Sequence, residues 1–290
     1  MEFSFGQLEG FVAVAEERHF GRAAERLSMT QPPLSRQIQK LERAVGAQLL
    51  DRDSRGVRLT AAGEAFLVDA RRLLALAGRA PDLARRIAAG RAGSIRIGFT
   101  GASAFGVLGR VLNTIAGQLP DLRVELSEMV TGEQVAALAN GEIDLGLARP
   151  PFDTATFASR PLHRERLVLC VPARHRLAGA GPVPAAELAS EPLIMHSPVK
   201  ARYFYDLVVR LIPVAHRNVV HEVSQIQTMI WLVAAGRGIA FVPESATRMQ
   251  IEGVAWAEID GLPDQPVELN LLWSRESTNP ALSTVLAVLE

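Results

Sequence analysis

The feature that most constrains this chain is a change of hydrophobic period near residue 93. Before it, apolar residues recur every three or four positions, and beyond it short apolar runs alternate with helical stretches. A chain with two periods must build two kinds of domain, and 290 residues suffice for each to bury a core. Three helical stripes open the chain: Leu8, Phe11, Val12 and Ala15; Phe20, Ala23, Ala24 and Leu27; Leu34, Ile38, Leu41 and Val45. Helices this close together share one small core. Ser28-Met29-Thr30 joins the second to the third with the short link of a helix-turn-helix. Thr30 is read as the N-cap, Pro32 and Pro33 fit the first turn where their missing N–H groups are not needed, and Gly46 ends the helix.

With its apolar stripe turned inward, the third helix presents Ser35, Arg36, Gln39, Lys40 and Arg43 outward, and Gln31 and Pro32 at its start. Arg matches guanine edges, Gln matches adenine, and helix N-terminal N–H groups receive phosphate oxygens. An isolated charged face is more often plain solvated surface. Here the preceding helix-turn-helix favours double-stranded DNA, at a promoter or operator. Residues 47–50 and 57–60 read as two short strands around a tight turn carrying Arg52, Arg55 and Arg58, a wing expected to grip the DNA backbone or minor groove.

Charge supports that division. Residues 1–93 hold 15 Arg and Lys against 11 Asp and Glu, whereas the remainder is acidic, so a net charge of zero conceals a basic head on an acidic body. From Thr60, an N-cap, to about Gly90 the chain is rich in Ala, Leu and Arg. Its apolar residues Phe66, Ala70, Leu73, Ala77, Ala80, Ala84 and Ile87 step by four and three. That is a heptad seam, which asks for a partner helix in a second copy of the chain. Pro81 predicts a kink or break near residues 78–81.

Beyond Gly93, strands are expected at 94–99, 124–126, 143–147, 167–171, 193–195, 219–223, 238–242 and 269–273, with helices near 104–117, 132–140, 200–212, 225–235 and 278–289. Alternation of this kind implies α/β sheets. The expected organisation is a winged helix-turn-helix at 1–59, a linker helix for dimerisation at 60–93, and a two-lobed domain at 94–290. Lobe I comprises 94–161 and 267–290, and lobe II comprises 162–266.

Other classes fit less well. Composition is that of a soluble globular protein, 48% hydrophobic and 21% charged, and no apolar run approaches the ~20 residues that span a bilayer. Glu2, Glu9, Glu16 and Glu17 interrupt the opening segment, which has no basic leader, so the chain is expected to stay in the cytoplasm. That weighs against an exported solute-binding protein. The lone Cys170, in an apolar strand, is read as an inert packing thiol. For catalysis the motifs are missing: residues 101–105 lack the last glycine of a nucleophile elbow, residues 236–241 fail the dinucleotide pattern, and there is no P-loop. His216 and His221 are not spaced as zinc ligands, so neither metal nor cofactor is expected.

Several segments together carry a family resemblance: residues 11–17, Phe20-Gly-Arg-Ala-Ala24, Gln31-Pro-Pro-Leu-Ser-Arg-Gln-Ile38, Arg52, Arg55, Leu59-Thr60, Ala62-Gly63, Ile95-Arg-Ile-Gly-Phe99, Gly141-Glu-Ile-Asp-Leu-Gly146 and Leu232-Val-Ala-Ala-Gly236. The chain resembles the LysR-type transcriptional regulators along essentially its whole length. The resemblance implies an effector domain like the type 2 periplasmic binding proteins, with crossings between lobes near Arg160 to Leu162 and near Pro266. It also implies homodimers assembling into homotetramers, and promoter contact with RNA polymerase. A narrower resemblance, through residues 99–106, 128–131 and 197–203, points to the subgroup that answers to muconate, benzoate and related products of aromatic degradation. Ala102, Ala201 and Arg202 depart from that subgroup's pattern.

A cleft between two such lobes collects strand ends and helix N-termini, which favour anions. Thr100 and Ser103 before one helix, Thr131 before the next, Arg149 at a strand end, and Lys200 and Arg202 in the second lobe are therefore expected to hold a small organic acid. The subgroup resemblance adds Ala102, Ser197, Tyr203 and Gln227 to the pocket and makes Thr131 a hydrogen-bond donor to the effector. Capping alone also explains a threonine at 131, core packing an aromatic at 203, and surface exposure the three cations.

Overall fold

The computed structural model describes residues 3–53, 56–179, 181–212 and 218–290, in two compact units that divide between Arg86 and Ile87. Arg55 and His216 lie outside the described residues.

In the first unit, helices α1 (Phe5–Glu17), α2 (Phe20–Arg26) and α3 (Gln31–Val45) precede strands β1 (Leu50–Asp53) and β2 (Gly56–Leu59), and α4 (Ala61–Ala88) follows. Leu8, Phe11, Leu34, Ile38 and Leu41 are buried together, the centre of the core predicted from the three stripes. Ser4 and Gln7 cap α1 reciprocally, and Gly46 ends α3 with φ 77°, where a side chain would be strained. Thr30 occupies the N-cap position of α3, but its hydroxyl makes no capping bond. Leu50 pairs with Leu59 in the antiparallel wing, so its first strand begins at Leu50 rather than at residue 47.

Thr60 caps α4 through its hydroxyl, which accepts from the Gly63 N–H at 2.9 Å. Contrary to expectation, α4 is unbroken through Pro81. The proline lies on an exposed face, so the carbonyl it deprives of a donor can be hydrated there, and the helix runs on. The seam also differs. Ala70 is buried and Phe66 packs against the helix-turn-helix core, whereas Val68 is exposed and so are four further large apolar residues, Leu73, Leu76, Leu83 and Ile87. With Ala80 they step three, four, three, four.

The second unit contains two five-stranded mixed sheets. The first, in the order β4-β3-β5-β12-β6, is built from β3 (Gly93–Phe99), β4 (Leu122–Glu128), β5 (Leu145–Ala148), β6 (Phe157–Glu165) and β12 (Val267–Ser274). Helices α5 (Gly101–Ala104), α6 (Val107–Gln118), α7 (Thr131–Ala139) and α10 (Pro280–Val288) complete this lobe. The second sheet, in the order β11-β7-β10-β8-β9, is built from β7 (Leu167–Pro172), β8 (Leu193–His196), β9 (Val219–Val223), β10 (Ile239–Pro243) and β11 (Val254–Ala257), with α8 (Arg202–Leu211) and α9 (Ile226–Ala234) against it. Each lobe has its own apolar core. The expected α/β architecture of two lobes is present.

The first crossing falls at Arg166, beyond the expected Arg160 to Leu162, because β6 stays paired with β12 as far as Glu165. Strand β12 begins the return at Val267, directly after Pro266. Two further expectations need correction. The helix expected at 104–117 is divided into α5 and α6 at Gly106, and Phe157–Glu165 and Val254–Ala257 are strands that alternation did not reveal.

Candidate nucleic-acid interface and effector cleft

Helix α3 is amphipathic as the sequence predicts. Leu34, Ile38 and Leu41 are fully buried, while Gln31, Pro32, Arg36, Gln39, Lys40 and Arg43 are exposed and Ser35 is half-buried. Arg43 Nε donates to the Gln39 carbonyl at 3.2 Å, which lays its guanidinium along the outer face. Arg58 is exposed on the wing strand.

Arg52 does not project from the wing as an isolated phosphate grip. Its guanidinium lies over the Phe20 ring, donates to Ser35 Oγ at 3.2 Å and approaches Glu42 at 3.9 Å. A planar, weakly hydrated cation gains more by covering that aromatic surface than by extending into water. Glu42 also accepts the Leu49 and Leu50 N–H groups, at 2.9 and 3.1 Å. The wing is thereby fixed to α3.

In the second unit, a cleft of about 930 Å³ opens between the lobes. Lobe I contributes Thr100, Ala102, Thr131 and Arg149; lobe II contributes Lys200, Arg202 and Tyr203. Thr131 is the first residue of α7, and its hydroxyl accepts from the Arg149 N–H at 3.2 Å. The hydroxyl proton stays available to a ligand. Thr100 Oγ1 is buried with no partner among the described residues. Helices α8 and α9 begin at the cleft without a side-chain cap.

Arg149 is the central departure from a surface-charge reading, since its side chain is only 4% exposed. It donates from Nη1 to the Glu268 carbonyl at 2.7 Å, lies 4.0 Å from Glu165, and stacks 4.6 Å above the Phe204 ring of the opposite lobe. Burial lowers its pKa, against the opposing fields of Tyr203 and Glu165. Its Nε is unpaired. Tyr203 Oη accepts from the Glu268 N–H at 2.6 Å, so this residue both lines the cleft and ties α8 to the returning strand. Burial raises its phenol pKa.

Three expected residues do not line the cleft. Ser103 is buried and its hydroxyl donates to the Thr100 carbonyl at 2.7 Å, inside the turn of α5. Ser197 accepts from the Val199 and Lys200 N–H groups and so shapes the loop instead of facing the cavity. Gln227 is exposed on α9, and Gln225, two residues earlier, takes the place at the cleft. Residue type alone did not distinguish these two glutamines. Glu128, Phe204 and Ser224 are also lining residues that the sequence did not single out.

A helix-turn-helix head with a basic outer face, joined to a body whose two lobes flank a cleft, defines a regulator that reads DNA at one end and senses at the other. Residues 5–64 match the bacterial regulatory helix-turn-helix protein, lysR family, and residues 88–290 match the LysR substrate binding domain. The chain belongs to the LysR family of DNA-binding transcriptional regulators. It is 39% identical over 278 residues to the uncharacterized HTH-type transcriptional regulator YnfL of Escherichia coli, covering 95% of this chain and 93% of that one. With BenM of Acinetobacter baylyi it shares 36% identity over 257 residues, 87% of this chain and 84% of BenM. The structure of full-length CbnR in complex with its target DNA superposes with a TM-score of 0.82 at 31% identity, covering 99% of this chain and 98% of that one. These relatives are named as transcriptional regulators, not as enzymes. No helix among the described residues is long and apolar enough to cross a membrane.

Proposed function

We propose that this regulator reads a promoter sequence through α3 and its wing, and that a small organic acid in the interlobe cleft controls how the DNA is held. The observation that carries the acid is a set of donors lining one cavity: the Thr131 hydroxyl, the Lys200 ammonium and the uncapped starts of α8 and α9. Such groups favour a carboxylate. The likeness to BenM and the place of Tyr203 in the lining support an acid from aromatic-compound catabolism.

A ligand touching both lobes regulates only through unequal affinity for two lobe arrangements, and a coupling of ~1 to 3 kcal/mol is typical. The exposed seam of Leu73, Leu76, Leu83 and Ile87 supports pairing of α4 with its copy in a homodimer. Dimers then assemble into a homotetramer that presents several reading heads to one promoter, where RNA polymerase is met. A thermal-shift screen of aromatic and aliphatic carboxylates, followed by footprinting with each hit, tests this reading. Stabilisation by at least one acid together with an altered footprint is expected; stabilisation by none, or hits that leave every footprint unchanged, would reject control by an acid.

A further inference from the structure

The charges around the cleft are unevenly satisfied. Arg202 pairs with Asp206 at 3.4 Å, Arg149 is tied to Glu165 and the Glu268 carbonyl, and Glu133 accepts from the Val130 N–H at 3.0 Å. Among the described lining residues this leaves two ionised side chains with no partner: Lys200 in lobe II and Glu128 in lobe I. Glu128 occupies a defined place. A β-carbon on Gly101 would stand 2.9 Å from Glu128 Oε1 and 3.3 Å from Gln225 Oε1, so the bare backbone there admits a carboxylate from one lobe beside an amide from the other. Whichever way the Gln225 amide is turned, the Glu128 charge lacks a cation. On the donor side, the same cleft is lined by the unpaired Lys200 ammonium and by Thr131, whose hydroxyl accepts from the Arg149 N–H and keeps its own proton free. The cleft thus offers donors from Lys200 and Thr131 and an unneutralised acceptor from Glu128.

We propose that the effector is a monocarboxylate bearing a hydroxyl or amino group away from its carboxylate, and that Glu128 receives this donor and rejects dicarboxylates. The inference rests on the acid-sensing reading above and narrows it. Glu128 is exposed to water in the open cleft, so a ligand that covers it displaces that water: a second carboxylate then faces a like charge, whereas a hydroxyl or amino group replaces the lost hydrogen bond. Unpaired site groups are the strongest source of discrimination between analogues of similar shape.

Calorimetric titration of the full chain with two matched series separates the outcomes. One series is benzoate, 3-hydroxybenzoate, 3-aminobenzoate and isophthalate; the other is butyrate, 4-hydroxybutyrate, 4-aminobutyrate and succinate. In at least one series the donor-bearing acids are expected to bind ~10-fold or more tightly than the unsubstituted acid, with the dicarboxylate weakest. Glu128→Gln should remove that advantage and strengthen dicarboxylate binding by a similar factor, and Glu128→Ala should also remove it, with a smaller dicarboxylate gain because no amide is left to donate to the second carboxylate. Dicarboxylates binding as tightly as the donor-bearing acids, or an order unchanged in both variants, would overturn the proposal and leave acid sensing intact. No binding by any acid of either series would overturn acid sensing and this proposal with it.

Discussion

The Arg52 guanidinium carbon lies 4.6 Å from the centroid of the Phe20 ring, so the wing is held to the first helix of the helix-turn-helix by a cation resting on an aromatic face. The same guanidinium donates to Ser35 on α3. One wing residue therefore orders both helices of the motif. Arg52→Ala is expected to lower the stability of this unit by about 1 kcal/mol, the worth of a partly exposed cation–π contact with one hydrogen bond. A urea denaturation midpoint indistinguishable from wild type would show that the contact does not hold the wing.

On the exposed face of α3, Arg36 is positioned to meet base edges or phosphate. Arg36→Ala should weaken specific DNA binding by ~1 to 3 kcal/mol while leaving the fold intact, since none of its side chain is in the core. Footprints and affinities equal to wild type would remove it from the reading surface.

The Arg149 and Glu165 side chains, 4% and 7% exposed, form a buried pair next to the first crossing. Removing one member leaves the other charge buried and uncompensated, so Arg149→Ala should destabilise the second unit by ~3 to 5 kcal/mol. A variant that loses effector response without this loss of stability would place Arg149 in ligand binding alone. Thr131→Val is the milder test of the cleft, removing one hydroxyl that now accepts the Arg149 N–H. Effector response should be lost at a stability cost of about 1 kcal/mol, and a normal induction curve would exclude the hydroxyl from the ligand site.

His196 is buried at the end of β8, stacked 4.8 Å from Phe204, with Nε2 donating to the Phe241 carbonyl at 2.8 Å. Burial pulls its pKa down to about 4, whereas an unfolded histidine titrates near 6.5. Between these values the unfolded chain binds the extra proton, so stability is full above pH 6.5 and falls as the pH drops towards 4, by up to ~3 kcal/mol. Thermal unfolding of wild type and His196→Gln compared across that window should show a steeper acid loss in the wild type. Parallel curves would contradict a neutral buried imidazole.

Burial also pushes the Cys170 thiol up to about 12, with no cation among the described residues favouring the thiolate. Native protein should therefore react with iodoacetamide far more slowly than protein in urea. Equal rates would expose the strand.

How much of this was legible depended on whether a residue's role is local. The helix-turn-helix followed from periodicity, because Leu34, Ile38 and Leu41 face one core whatever lies elsewhere in the chain. Strand β6 was missed because Phe157–Glu165 alternates imperfectly and contains Pro161, yet β12 pairs with it throughout, across an irregularity at Leu269 and Asn270. In the cleft, Thr100, Thr131, Arg149, Lys200 and Arg202 follow from their places at strand ends and helix starts, and Ala102 and Tyr203 from the subgroup resemblance. Ser103 and Ser197 were misplaced because a hydroxyl turned onto its own backbone looks the same in sequence as one facing a ligand. The inward position of Arg52 depends on Phe20, more than thirty residues away, and the burial of Arg149 on Phe204 of the other lobe. Such pairings are tertiary facts.

Competition binding of a labelled promoter duplex, recovered by the protein from genomic fragments, against random duplex tests the account most directly. At least ~10³-fold preference for the recovered site is expected, with a slope of log K against log salt of about −0.9 for each phosphate neutralised. Equal affinity for recovered and random duplex, or affinity indifferent to salt, would contradict DNA reading by α3 and its wing.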